Sequence, residues 1–154
     1  MKGYKGFDNK MQGRNDFQYE VGKTYTMDDN IEVCKSGFHF CTELKNVFEY
    51  YKIYNKNVYC EIEEHGNILN DGKKSCTNNI HIKKLCDGVI EGVYFKEGKL
   101  HREDGPAIEY ANGDKLCYKE GKRHREHGPA IENADGNKYW YKEGKRHREY
   151  GAAI

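Results

Sequence analysis

Cys34, His39 and Cys41 stand close together in the chain, and thiolate and imidazole are the ligands from which tetrahedral zinc sites are built. In the alternating stretch Phe38-His39-Phe40-Cys41, His39 and Cys41 share one face of a strand. The spacing supplies no fourth ligand and the chain has no Cys-x-x-Cys pair, so no metal is assigned. His101, His124 and His147 recur at a period of 23 residues. Equivalent side chains of stacked units lie about one unit apart, too far to share an ion, and pairing with a nearby Glu or Tyr is the expectation. The six cysteines, at 34, 41, 60, 76, 86 and 117, read as free thiols of a reducing compartment. The sequence shows no phosphate-cradling glycine loop, nucleophile elbow or paired-carboxylate motif, so no catalytic residue and no cofactor is assigned.

Binding chemistry is better represented. Lys99-Leu100-His101-Arg102, Lys122-Arg123-His124-Arg125 and Lys145-Arg146-His147-Arg148 repeat a basic segment. On a strand Arg123 and Arg125 share a face, and stacked repeats would build a cationic stripe that, with nearby tyrosines, suits RNA backbone or an acidic protein. The other reading is a solvated face neutralised by Glu103, Glu126 and Glu149. Trp, Tyr and Arg dominate interface energetics, so the partner-binding candidates are Tyr118, Arg123, Arg125, Tyr139, Trp140, Tyr141, Arg146 and Arg148.

These residues sit in a segment with visible internal repetition. Tyr94-Phe95-Lys96-Glu97-Gly98-Lys99 returns as Cys117-Tyr118-Lys119-Glu120-Gly121-Lys122 and again as Trp140-Tyr141-Lys142-Glu143-Gly144-Lys145. A fixed short period marks stacked supersecondary units that bury an apolar face only together. Gly98, Gly121 and Gly144 stand where a tight hairpin needs positive φ, and Asn112-Gly113 and Asp135-Gly136 are strong hairpin signals. The expectation is an antiparallel β-hairpin meander over residues 89–154, with two strands per repeat. A break at Ile154, part-way through a repeat, would leave a C-terminal sheet edge open to self-association.

Residues 1–88 read as a separate α+β domain. Strands are expected at Tyr4–Phe7, Phe17–Val21, Thr24–Thr26, Ile31–Cys34, Phe38–Cys41, Val58–Glu63 and Ile80–Leu85, from alternation and flanking turn residues. Leu44, Val47, Phe48 and Tyr51 follow helical spacing after Thr42, a good N-cap, and predict one main helix over Glu43–Tyr51, ended by Asn55-Lys56-Asn57.

The chain has 154 residues and a net charge of +1, so nothing in bulk draws it to nucleic acid or an anionic membrane. Hydrophobic residues make up 36% and charged residues 33%, which leaves a thin core; 13 tyrosines help cover it while tolerating water at the hydroxyl. The first residues lack the apolar segment of a signal peptide, and no apolar run reaches the ~18 residues of a membrane span. A cytoplasmic, membrane-free protein is the expectation.

The runs Tyr4-Lys5-Gly6-Phe7, Tyr19-Glu20-Val21-Gly22-Lys23-Thr24-Tyr25 and Cys34-Lys35-Ser36-Gly37-Phe38-His39-Phe40-Cys41 resemble a domain of phage and prophage proteins with no assigned chemistry. The repeat half is similar to degenerate MORN-type β-hairpin repeats, which implies a protein-binding scaffold. Together the resemblances imply a non-enzymatic interaction protein in the cytoplasm of a bacterial host, binding a host protein and inhibiting an antiviral defence component, in the manner of an anti-CRISPR protein. Two alternatives stand beside it: an RNA-binding module using the basic stripe, and an enzyme whose strand order is similar in outline to ADP-ribosyltransferases. The latter would involve His39, with Glu61 and Glu63 the candidates for the transfer residue.

Overall fold

The computed structural model describes residues 2–53 and 56–148. Asn55, Glu149 and Ile154, invoked above for the helix end, the repeat acids and the open edge, lie outside the described residues. The chain divides into two compact units, Met1–Cys86 and Asp87–Ile154.

The first unit is α+β. In chain order it holds β1 (Lys2–Phe7), β2 (Thr24–Thr26), β3 (Phe38–Phe40), α1 (Leu44–Tyr50), β4 (Val58–Glu64), β5 (Ile68–Asn70), β6 (Ser75–Thr77) and β7 (Asn79–Leu85). One antiparallel sheet runs β1-β4-β7-β2 and a smaller one runs β3-β6-β5. In β4 the residues Val58, Cys60 and Ile62 point inward, and they meet Ile80 and Ile82 of β7 and Phe7, Tyr19, Phe38 and Phe40 in one core. A backbone pair between Tyr4 and Cys41, at 2.7 and 2.9 Å, ties the chain just past β3 to β1. Leu44 and Val47 bury the inner face of α1. Gly6 makes room beside the helix end: a Cβ there would lie 2.5 Å from the Tyr51 ring.

Local pattern misled in four places. Phe17–Val21 is not a strand; a single bridge joins Gln12 to Gln18, and the alternation of Phe17 and Tyr19 serves an aromatic cluster instead of a ladder. Ile31–Cys34 is a tight turn closed by Glu32 and Ser36, with Cys34 at φ 70°. The helix N-cap is Glu43, with extended backbone and no side-chain cap bond, so Thr42 does not cap it. The β5-β6 hairpin was not anticipated, although Asp71-Gly72 carries a turn signature and Gly72 adopts φ 99°.

The second unit is the expected hairpin meander, but each of its first two repeats carries two hairpins and four short strands, and the described part of the third carries one hairpin. They are β8 (Gly88–Ile90), β9 (Val93–Lys96), β10 (Lys99–Leu100), β11 (Ile108–Glu109), β12 (Lys115–Leu116), β13 (Tyr118–Lys119), β14 (Lys122–Arg123), β15 (Ile131–Glu132), β16 (Lys138–Tyr139), β17 (Tyr141–Lys142) and β18 (Lys145–Arg146). β10-β9-β8, β13-β14 and β17-β18 form separate small sheets, while β11-β12-β15-β16 links the second hairpins of successive repeats.

Two turn types explain the division. At Glu97-Gly98, Glu120-Gly121 and Glu143-Gly144 both central residues have positive φ, 49° and 77°, 50° and 75°, 51° and 79°, the type I′ pattern that matches strand twist. At the Asn112-Gly113 corner only Gly113 is left-handed, at φ 98°. The Gly113 N–H donates to Tyr110 O and the Tyr110 N–H to Asp114 O, both 2.9 Å, which is a three-residue loop with a glycine bulge. Between these turns Phe95, Leu100, Ala107, Ile108, Leu116, Tyr118, Ala130 and Ile131 form the buried spine.

Candidate functional site

The first unit holds a cleft of about 890 Å³ beside β1 and β3. Eight aromatic residues line it, together with Lys5, Arg14, Lys35 and Lys74. No Asp or Glu is among its lining residues, in a chain with 25 acidic side chains. That segregation of charge is the distinctive property of the site.

Lys5 is the deepest of the four cations. Strand β1 carries it inward between Tyr4 and Gly6, and only 6% of it is exposed. Its Nζ donates to His39 O at 2.6 Å and lies 5.3 and 5.5 Å from the ring centres of Tyr19 and Phe7. No described carboxylate lies within ion-pairing distance of Nζ. Burial pushes the ammonium down to about 8 from the ordinary 10.5, against a smaller upward pull from the Cys41 and Cys60 thiols.

His39 is the hub. Its Nε2 accepts the Cys34 N–H at 3.0 Å. Burial, then the charges of Lys5, Lys74 and Arg14, push it down to about 4, so the ring is neutral at pH 7. Arg14 Nη1 donates to Cys34 O at 2.9 Å, and the Lys74 ammonium sits 4.4 Å from the centre of the Tyr50 ring. Lys35 is the exception among the cations, being paired with Glu32 at 2.6 Å.

The walls supply flat faces and neutral donors. Phe17 packs 4.8 Å from Tyr19 and 5.5 Å from Tyr25, both nearly edge to face, and Phe17 is 44% exposed. Burial holds the Tyr19 and Tyr51 phenols above their usual range, aided by Tyr51 and Tyr25 for the first and by Asp8 for the second. The Cys41 thiol is pushed up to about 11 and Cys60 up to about 12, in both cases mainly by burial, so neither is a thiolate nucleophile at neutral pH. Among the described residues no group of three or more His, Cys, Asp or Glu is placed to hold a metal.

The array disposes of its candidate residues differently. Tyr118 is fully buried and belongs to the spine, which removes it from any docking face of the folded unit. Arg123 lies 3.4 Å from the hydroxyls of both Tyr118 and Tyr141, whereas Arg125 Nη1 donates to Pro129 O at 3.1 Å and to Glu132 at 2.8 Å. The two guanidinium groups expected to share a face thus engage different partners. Arg146 reaches the Tyr141 hydroxyl at 3.5 Å, and Arg148 stacks 4.2 Å over Trp140. Tyr139 and Trp140 are half-buried and Arg146 is exposed.

His101 and His124 are buried between repeats. Their Nε2 atoms meet Glu103 and Glu126 at 2.9 and 2.8 Å, the pairing with neighbouring Glu that their period suggested. Glu61 and Glu63 pair with Lys84 at 3.1 Å and Lys83 at 2.5 Å, and neither lines the cleft. No helix of the described residues is long and apolar enough to cross a membrane.

Sequence reasoning missed the cleft. Lys5 looks like the solvent-facing member of an alternating strand, and the only local hint was the acid-free run Val33–Cys41 with its mixture of Lys, His and Phe.

The fold defines a class: an α+β domain bearing a cationic aromatic cleft, followed by a β-hairpin repeat array. Over residues 1–88 the chain matches the model of a family described as a domain of unknown function, DUF7666, and it belongs to that family. No curated protein and no solved structure matches it.

Proposed function

We propose that the protein works by binding, and that its N-terminal unit is a receptor for a small anionic ligand. The observation that carries this is Lys5. An ammonium moved out of water without a counter-charge is costly, and proteins ordinarily pair it or replace it. Here Arg14 and Lys74 line the same cleft and add to its positive potential. An incoming anion would meet Lys5 as its missing counter-charge, with tyrosine hydroxyls available as neutral donors. The test is calorimetric titration of the full chain with inorganic pyrophosphate. Saturable binding that Lys74→Ala and Arg14→Ala each weaken severalfold supports the receptor, and no measurable binding removes it.

A second reading concerns the array, as the scaffold by which a phage or prophage protein docks on a host protein and blocks a defence component. It is supported by the resemblance of both halves and by Tyr139, Trp140, Arg146 and Arg148, which keep accessible aromatic and guanidinium surface between β16 and the residues just past β18. Arg146→Glu with Arg148→Glu should abolish recovery of a partner identified with the wild-type chain; unchanged recovery refutes the assignment.

A further inference from the structure

We infer that the anion taken by the cleft is a nucleotide, its phosphates on Lys5, Lys74 and Arg14 and its base against the Phe17–Tyr25 wall. This rests on the receptor reading above and narrows it. A bare phosphate or carboxylate needs cations and N–H donors and gains little from aromatic faces. The cleft has both, in one continuous space of about 890 Å³, several times the volume of a phosphate group and within the range of small-ligand sites. Lys5 Nζ bonds His39 O and Arg14 bonds Cys34 O, whose own N–H meets the His39 ring, so two of the cations are tied to this one segment of the cleft wall. The aromatic cluster adjoins Lys5, whose Nζ lies 5.3 Å from the Tyr19 ring centre. Phe17, Tyr19 and Tyr25 form a triangle of ring contacts at 4.8, 5.5 and 5.1 Å, joined to the floor through Phe38. Phe17 keeps nearly half its surface open although it is an apolar ring in a cleft wall, the property of a stacking platform and not of a core residue.

A lipid-like anion would ask for aliphatic walls to hold an acyl chain, and Met27 and Val47 are the aliphatic side chains of any length lining this cleft. A planar heterocycle suits rings and cations together, since bases stack on aromatic faces and on guanidinium planes. Thr24, Thr26 and Asn15 line the same space and bring the hydroxyl and amide groups that read a sugar or base edge.

The experiment compares, by calorimetry on the full chain, inorganic pyrophosphate, ribose 5-phosphate, ADP, UDP and adenosine. The nucleoside diphosphates are expected to bind at least about tenfold tighter than pyrophosphate, the increment typical of one stacked base. Phe17→Ala should lower nucleotide affinity by about tenfold and leave pyrophosphate affinity unchanged, while Lys74→Ala should lower both. A native circular dichroism spectrum of Phe17→Ala verifies that losing its ring contacts with Tyr19, Tyr25 and Phe38 leaves the fold intact. Nucleotides that bind no tighter than pyrophosphate, or a Phe17→Ala effect equal on both, overturn the nucleotide assignment and leave the anion receptor standing. Failure of pyrophosphate and nucleotides alike to bind overturns both.

Discussion

His124 accepts the backbone N–H of Glu143 on its Nδ1 at 3.1 Å, and His101 accepts that of Glu120 on the same atom at the same distance. An Nδ1 that accepts this bond is unprotonated, which puts the proton on Nε2 and aims it at the neighbouring Glu126 or Glu103; at His124 the Glu143 carboxylate also lies 3.1 Å from Nδ1. The donors are the first central residues of type I′ turns, where a non-glycine residue sits at φ 50° and 51°. The imidazole thus ties one repeat to a left-handed, non-glycine turn position of the next.

Removing that tie leaves a turn N–H without its acceptor inside the array. His124→Ala is expected to destabilise the second unit by about 1–3 kcal/mol in urea unfolding, the cost of an unsatisfied buried polar group together with lost packing. His147→Ala, at an exposed position, is the control and should change stability by less than about 0.5 kcal/mol. Equal effects at the two positions would refute the tie.

The strain itself is testable at Glu97, whose side chain is exposed and whose φ is 49°. Glu97→Asn keeps the N–H that donates to Asp87 at 3.1 Å and installs the Asn-Gly pair that type I′ turns favour. A gain of about 0.5–1 kcal/mol is expected from thermal unfolding, and a loss would mean the Glu97 side chain contributes something the turn geometry does not explain.

Close approach of helix and strand in the first unit hangs on Gly6. Gly6→Ala forces a methyl against the Tyr51 ring, so β1 and the end of α1 must separate. The expected cost is about 1–3 kcal/mol in urea unfolding of the first unit.

Lys5 links stability to pH with a definite sign. Its folded value of about 8 lies below the unfolded 10.5, so below pH 8 both states carry the proton and the folded state bears the full burial cost. Between about pH 8 and 10.5 the folded state releases the proton first, and stability rises. Lys5→Met should therefore stabilise the ligand-free protein at pH 7 by about 1–3 kcal/mol, an advantage that shrinks as pH approaches 10.5. The same substitution should abolish pyrophosphate binding. A destabilised Lys5→Met protein at pH 7 would show that the ammonium is already paid for by its Phe7, Tyr19 and His39 contacts.

Much of the array could be read from the chain because hairpin turns are local. Glu-Gly and Asn-Gly pairs at fixed places specify corners through the φ each residue tolerates, whatever surrounds them. The helix over Leu44–Tyr50 was legible within a residue or so for the same reason, its apolar spacing being a property of a few turns. Alternation was less dependable: Phe17-Gln18-Tyr19 has strand periodicity, yet its rings pack in an aromatic cluster while its backbone makes one bridge. Tyr118 could not be recognised as core, because Tyr141 at the equivalent place in the next repeat is only half-buried and the two have the same local sequence.

Sequence alone determined the hairpin architecture, the α+β character of the first unit and the near-neutral total charge. It did not determine where charge collects. Lys5, Arg14, His39 and Lys74 are spread over most of the first unit, and antiparallel register, the Tyr4–Cys41 bridge and the β5-β6 hairpin bring them to one cleft while Asp and Glu are left outside it. Turn preference acts over three or four residues, whereas an electrostatic field sums over everything within a Debye length in space, and that sum exists only once the chain has folded.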